Sequence, residues 1–149
     1  MGTKYPGSDA EIRALDAYIK LTRAAQTVLD RTNRHLTAHG LTTSQFGVLE
    51  ALHHLGALSQ IDVARKLLLS TANITTVMQN LEKAGYIRRE RDPRDQRVVR
   101  ATITAAGQAL VEKILPTHVE TITADMSALT PDEQETLAAL CRKLGKGSS

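Results

Sequence analysis

The chain has 149 residues, 42% of them hydrophobic and 23% charged, with 19 basic and 16 acidic side chains and a formal charge of +3. That length and an ordinary apolar fraction exclude wholesale disorder and point to one integrated domain. One cysteine excludes an internal disulfide, and no run approaches the ~20 apolar residues of a membrane span or the apolar core of a secretion signal, so a cytoplasmic chain without membrane contact is predicted.

The distribution of charge says more than its total. Residues 60–103 carry nine basic and five acidic groups, whereas residues 104–149 carry four and six. A basic middle followed by an acidic end is the pattern expected when one region meets an anion and another meets protein.

Helix signals dominate. Ser8-Asp9-Ala10-Glu11 reads as a capping box, followed by Ile12, Leu15, Ile19, Val28, Leu29 and Leu36 at roughly helical spacing and a stop at Gly40. A first helix of about 30 residues, about 45 Å long, needs another surface to pack on. Thr42-Thr43-Ser44-Gln45 offers a second capping box, for a helix that carries Phe46, Val48, Leu49 and Leu52 and ends near Gly56. Ser59 opens a short third helix, and Ser70 opens a fourth that Gly85 ends. Residues 86–91 and 98–103, on either side of Asp92-Pro93-Arg94-Asp95-Gln96-Arg97, read as a β-hairpin whose six basic residues are all arginine. Thr104 caps a fifth helix reaching about residue 127, with Pro116 as an internal kink. Thr130-Pro131-Asp132-Glu133 starts a sixth, carrying Leu137, Leu140 and Leu144 and ending at Gly145.

Short helix, tight turn, helix and arginine-rich hairpin in that order form a winged helix-turn-helix pattern. The fold class is mainly α (α+β). The DNA-binding lobe spans 41–103, and long dimerisation helices occupy 1–40 with 104–149. A helix fits the ~12 Å major groove of DNA and a β-ribbon beside it can reach the minor groove. On the fourth helix Ile74, Val77, Met78 and Leu81 share one face. The opposite face offers Ala72, Thr75, Thr76, Gln79, Asn80 and Lys83, with no acid and no large apolar group. Amides pair with adenine edges, methyls meet thymine, and hydroxyls bond phosphates or bases. Ser70, Thr71 and Asn73 at the helix start complete the candidate reading surface, with Arg94 at the hairpin tip for a narrow minor groove and Arg97 divided between phosphate and scaffold. Asp92 and Asp95 are expected to fix the Arg94 fork; the other hairpin arginines would pair with Glu90, Asp92 or Asp95.

The chain resembles the multiple antibiotic resistance regulator (MarR) family along nearly its whole length. The resemblance lies in Leu41-Thr42, Gln45-Phe46 with Val48-Leu49, Leu81-Glu82-Lys83-Ala84-Gly85-Tyr86-Ile87, the Asp92–Arg97 turn and Ile103-Thr104-Ala105-Ala106-Gly107. It implies a homodimer whose first, fifth and sixth helices interlock, with the fourth helix in the major groove and Arg94 in the minor groove. The implied activity is repression from a pseudo-palindromic double-stranded operator, relieved by a small-molecule effector or an oxidant. It also implies an effector pocket for an aromatic or lipophilic anion, with Arg23, His35, Phe46, Leu49 and His53 as candidate lining.

Two other sensing devices are weighed. His35 and His39, four apart on one helix, have a zinc-chelating spacing that His53, His54 and His118 could join, but no Cys or Glu cluster accompanies them. Cys141, beside Leu140 and Arg142, is expected as a buried small residue rather than a redox centre. No metal site or cofactor is expected. No nucleophile, zinc-protease or glycine-rich phosphate motif is present, and Glu50 and Asp62 have no evident catalytic partner, so the sequence does not read as an enzyme.

Overall fold

A computed structural model describes residues 2–147. Ser8 and Glu11 make the expected reciprocal cap: the Glu11 amide donates to the Ser8 hydroxyl and the Ser8 amide to the Glu11 carboxylate (3.2 and 2.9 Å). Helix α1 then runs Asp9–Thr37, and Gly40 turns the chain at a φ of 76°. The Thr42–Gln45 capping box starts α2 (Thr43–Leu55). Ser59 and Ser70 accept from the N3 amides of α3 (Gln60–Leu67) and α4 (Thr71–Lys83). Strands β2 (Ile87–Arg91) and β3 (Val99–Ile103) form the hairpin, and α5 (Ala105–Met126) and α6 (Pro131–Lys146) complete the chain.

Two elements of secondary structure differ from the sequence reading. Leu58–Ser59 form a short strand, β1, antiparallel to β3, so the hairpin is part of a three-stranded sheet of order β1-β3-β2. Two residues carry no periodicity, so this strand left no pattern to find. The stop of α6 is Gly147 rather than Gly145, because Gly147 adopts the positive φ (74°) and its amide donates to the Leu144 carbonyl.

The chain gathers into two compact units, one of residues 31–118 and one of residues 1–30 with 119–149. The unit of 31–118 holds the core: Phe46, Leu49 and Leu52 of α2, Val63 of α3, Ile74, Met78 and Leu81 of α4, and Ile87 and Ala101 of the sheet. Leu36 of α1 and Val111 and Ile114 of α5, each fully buried, belong to the same core, which extends past the 41–103 limits. In the other unit the described residues of 1–30 and 119–147 include none that is fully buried. There Tyr18, Leu29, Leu140 and Leu144 lie about half or more exposed, and an apolar groove lined by Leu21, Val28, Met126, Leu129 and Leu137 also takes in Cys141. Cys141, expected to be buried, is exposed because α6 has no buried face within the chain.

The hairpin is fastened to α5 at one close approach. The Thr104 hydroxyl donates to the Gly85 carbonyl (2.7 Å) and accepts from the Gly107 amide (3.1 Å), while the Thr104 amide donates to the Tyr86 carbonyl (3.0 Å). Gly107 is buried there, and a Cβ at this position would collide with the Tyr86 carbonyl oxygen and with Ile103. Replacing a mid-helix glycine by alanine normally stabilises by up to ~1 kcal/mol. Here backbone occupies the space, so Gly107→Ala is expected to destabilise the fold by about 1–3 kcal/mol in a denaturant titration; a gain in stability would contradict the close approach.

Candidate nucleic-acid interface

Helix α4 presents the two faces read from its sequence. Ile74, Met78 and Leu81 are buried, while Thr71, Ala72, Asn73, Thr76, Gln79, Asn80 and Lys83 are exposed together with the cap Ser70. Thr75 differs from its neighbours. It is half-buried, its hydroxyl donates to the Thr71 carbonyl (2.9 Å), and it accepts from Nε2 of Gln60 (3.1 Å).

Gln60 extends a network that locks the hairpin to α4. Arg89 donates through Nε and Nη2 to Glu82 Oε1 (3.3 and 3.0 Å), its backbone amide donates to Glu82 Oε2 (3.0 Å), and its Nη1 reaches Gln60 Oε1 (3.4 Å). Those hydrogen bonds hold the Glu82 carboxyl below its ordinary value. The partner of Arg89 is therefore on α4, and not Glu90, Asp92 or Asp95 as expected. Sequence reasoning missed Gln60 and Glu82. Arg89 and Glu90 alternate on β2, and only the strand's position over α4 shows which of them faces Glu82.

At the tip the carboxylates act differently from expectation. Asp92 Oδ1 accepts from the backbone amide of Arg94 (2.7 Å) and Oδ2 from Nε of Arg100 (3.0 Å). Asp95 accepts from the Arg97 amide and, bidentately, from its guanidinium (3.0 and 3.1 Å). Hydrogen bonding to the Arg94 amide, and then to Arg100, lowers the Asp92 carboxyl; bonding to Arg97 lowers that of Asp95 and raises the Arg97 guanidinium. Arg91 donates to the Gln96 carbonyl (2.7 Å). The carboxylates thus fix the backbone of Arg94 and the side chains of its neighbours. Among the described residues the guanidiniums of Arg94 and Arg88 are left without a partner, and both residues are exposed.

The effector-lining candidates divide between the units. Arg23 lies in α1 within residues 1–30 and is exposed. His35, Phe46, Leu49 and His53 lie in the unit of 31–118, where Phe46 and Leu49 are core side chains, 2% and 0% exposed. Within that unit His35 meets His118 (ring centroids 6.1 Å) and His39 (5.5 Å), and Phe46 packs on His118 (4.6 Å). His35 Nε2 and His118 Nδ1 are buried without a hydrogen-bond partner. Among the described residues no group of three or more His, Cys, Asp or Glu side chains is arranged to hold a metal ion. Among the described residues no helix is long and apolar enough to cross a membrane.

Burial pushes the His118 imidazole below its ordinary value of 6.5, with Glu50 opposing the shift and His35 adding to it. His118 therefore stays neutral in the folded chain when the unfolded chain would charge. Its contribution to stability is complete above about pH 6.5 and declines as pH falls through the lowered folded value. The melting temperature is expected to drop between pH 7 and pH 5, by about 4 °C or so for each kcal/mol lost, and His118→Gln should flatten that slope; equal slopes in the two proteins would remove His118 as the cause.

The family model that matches this chain is that of the MarR family, over residues 41–99. The HTH-type transcriptional regulator YkoM of Bacillus subtilis is 37% identical over 133 residues, covering 89% of this chain and 86% of YkoM. The structure of Bordetella bronchiseptica BpsR, described for the regulation of its DNA binding by 6-hydroxynicotinic acid, superposes with a TM-score of 0.79 at 32% identity, covering 87% of this chain and 98% of that one. A MarR family transcriptional regulator from Streptomyces coelicolor in complex with DNA superposes with a TM-score of 0.86 at 25% identity, covering 97% and 92% of the two chains.

Proposed function

This chain belongs to the MarR family of DNA-binding transcriptional regulators, and from that premise we propose that it works in the cytoplasm as a homodimeric repressor of a pseudo-palindromic operator, released by a small effector. The observation that carries the DNA contact is the exposed face of α4 beside a hairpin whose tip arginine is unpaired while its neighbours are tied down. Ser70, Thr71, Ala72, Asn73, Thr76, Gln79, Asn80 and Lys83 face the major groove; Gln79 and Asn80 supply amides for base edges and Lys83 meets phosphate. Arg94 enters the minor groove, where a narrow A·T segment concentrates negative potential. Arg97, held by Asp95, and Thr75, held by Gln60, serve mainly to shape the surface.

The homodimer is supported by the missing interior of the described residues 2–30 and 119–147. Helices without buried side chains cannot offset the entropy of ordering them, and a second copy would cover Leu137, Leu140 and Leu144 along α6. Closed two-fold symmetry then repeats the reading helix about one DNA turn, ~34 Å, away. For the effector, the support is chemical. His35 and His118 offer buried nitrogens with no partner beside the ring of Phe46, which suits an aromatic molecule carrying a hydroxyl or carboxylate. Leu49 and His53, of the same unit, stay in that candidate set, and BpsR, whose DNA binding responds to a hydroxylated heteroaromatic acid, supports the same class here.

The governing experiment selects bound duplexes from a genomic fragment library with the purified chain, then screens phenolic and heteroaromatic acids for release. Binding should weaken steeply with salt; no binding to any fragment, including the promoter upstream of its own gene, would sink the proposal. Arg94→Ala is expected to weaken the selected duplex by about ten- to a hundredfold while the dimer persists, and unchanged affinity would remove the wing-tip role. Leu140→Arg should shift the sedimentation coefficient to that of a monomer or abolish folding, whereas a wild type that sediments as a monomer would refute the dimer.

A further inference from the structure

Leu68 ends α3 in the left-handed region (φ 55°, ψ 40°), and it is the one non-glycine with a positive φ among the described residues. Its amide donates to the carbonyls of Ala64 and Arg65, so the conformation closes the turn that sets α4 against α3. Glycine or asparagine would hold this turn with less strain, since a Cβ crowds the carbonyl there. The leucine gains nothing from the interior in exchange. The residue is 92% exposed, more than any other large apolar residue described. A strained backbone carrying a fully exposed apolar side chain points to a use outside the chain's own packing.

The surroundings say what that use is. Leu68 borders a notch lined by Ile61, Ala64, Arg65 and Thr71, and Ile61 is itself 57% exposed. The Arg65 side chain is 79% exposed, with only Asp62 near it at 4.0 Å. Thr71 is the first residue of α4 and follows its cap Ser70, so the notch is continuous with the start of the reading face. Two exposed apolar side chains beside an exposed cation, held only by the long 4.0 Å pair to Asp62, match a strand of nucleic acid seen from its edge, where deoxyribose carbons alternate with phosphates.

We propose that Leu68, with Ile61 and Arg65, packs against the sugar–phosphate edge of one DNA strand beside the bases that α4 reads, Leu68 meeting deoxyribose and Arg65 a phosphate. The proposal rests on the reading of α4 as the DNA-contacting helix. It makes Leu68 an affinity determinant that carries no charge.

The test uses the full chain and the duplex that the wild type selects from genomic fragments. Leu68→Asn and Leu68→Gly keep a residue that tolerates the left-handed turn, so their melting temperatures should equal or exceed that of the wild type. Their affinity, read by fluorescence anisotropy over a salt series, should fall by about three- to tenfold at every salt concentration with the salt slope unchanged, because an apolar contact releases no counterion. Leu68→Met should restore tight binding. Arg65→Ala should instead reduce the slope by about one ion. Asparagine and glycine variants that bind as tightly as the wild type would overturn the proposal and assign the notch to a protein partner. A wild type that binds no duplex would fail the underlying reading of α4, a result distinct from either.

Discussion

A helical unit with no interior is the constraint on which the molecule turns. Residues 9–30 and 119–146 are almost entirely helical, yet none of their apolar side chains is fully buried within the chain. Hydrophobic burial yields about 25 cal/mol per Å² removed from water, and a helix receives that stabilisation only where a facing surface exists. The segment of 31–118 is built in the opposite way, with an apolar core drawn from five helices and two strands. The enclosed core and the open apolar faces thus occupy separate stretches of the same long helices α1 and α5.

Within the lobe, small polar groups set the relation between wing and reading helix. Thr104 ties the start of α5 to the carbonyls of Gly85 and Tyr86 at the foot of the hairpin, and Arg89 ties β2 to Glu82 and Gln60. Exposed ion pairs contribute little to stability. Their geometry still matters, because it fixes the wing against the exposed face of α4. Arg89 is 19% exposed at its side chain, the most enclosed arginine among the described ion pairs, and it sits where α3, α4 and β2 converge.

Much of this was legible in the residues. The capping boxes of α1, α2 and α6 are local hydrogen-bond chemistry, written in four residues each, and they place helix starts to within a residue. The two faces of α4 follow from spacing alone. Strand β1 was not legible, because its two residues are defined by pairing with β3, over 40 positions further along. The roles of Asp92 and Asp95 were half legible. Their nearness to arginines is in the sequence, but which arginine each holds depends on the turn, and the turn gives Arg94 only a backbone bond. The exposure of Cys141 was hidden for a third reason. Periodicity marks a helix face as apolar without saying whether the chain itself covers it. The strain at Leu68 left no mark at all, since leucine is an ordinary residue everywhere except in the left-handed region.

The clamp at the wing tip has a thermodynamic consequence. With the Arg94 amide held by Asp92, the Asp92 amide donating to Val98 and the Val98 amide to Asp95, the loop is ordered before any duplex arrives. At the tip only the torsions of the Arg94 guanidinium are left unheld. In the proposed complex, engagement of a groove by this wing is then closer to the docking of a finished part than to folding on a template, and its calorimetric signature is a small heat-capacity change with little entropy lost to ordering.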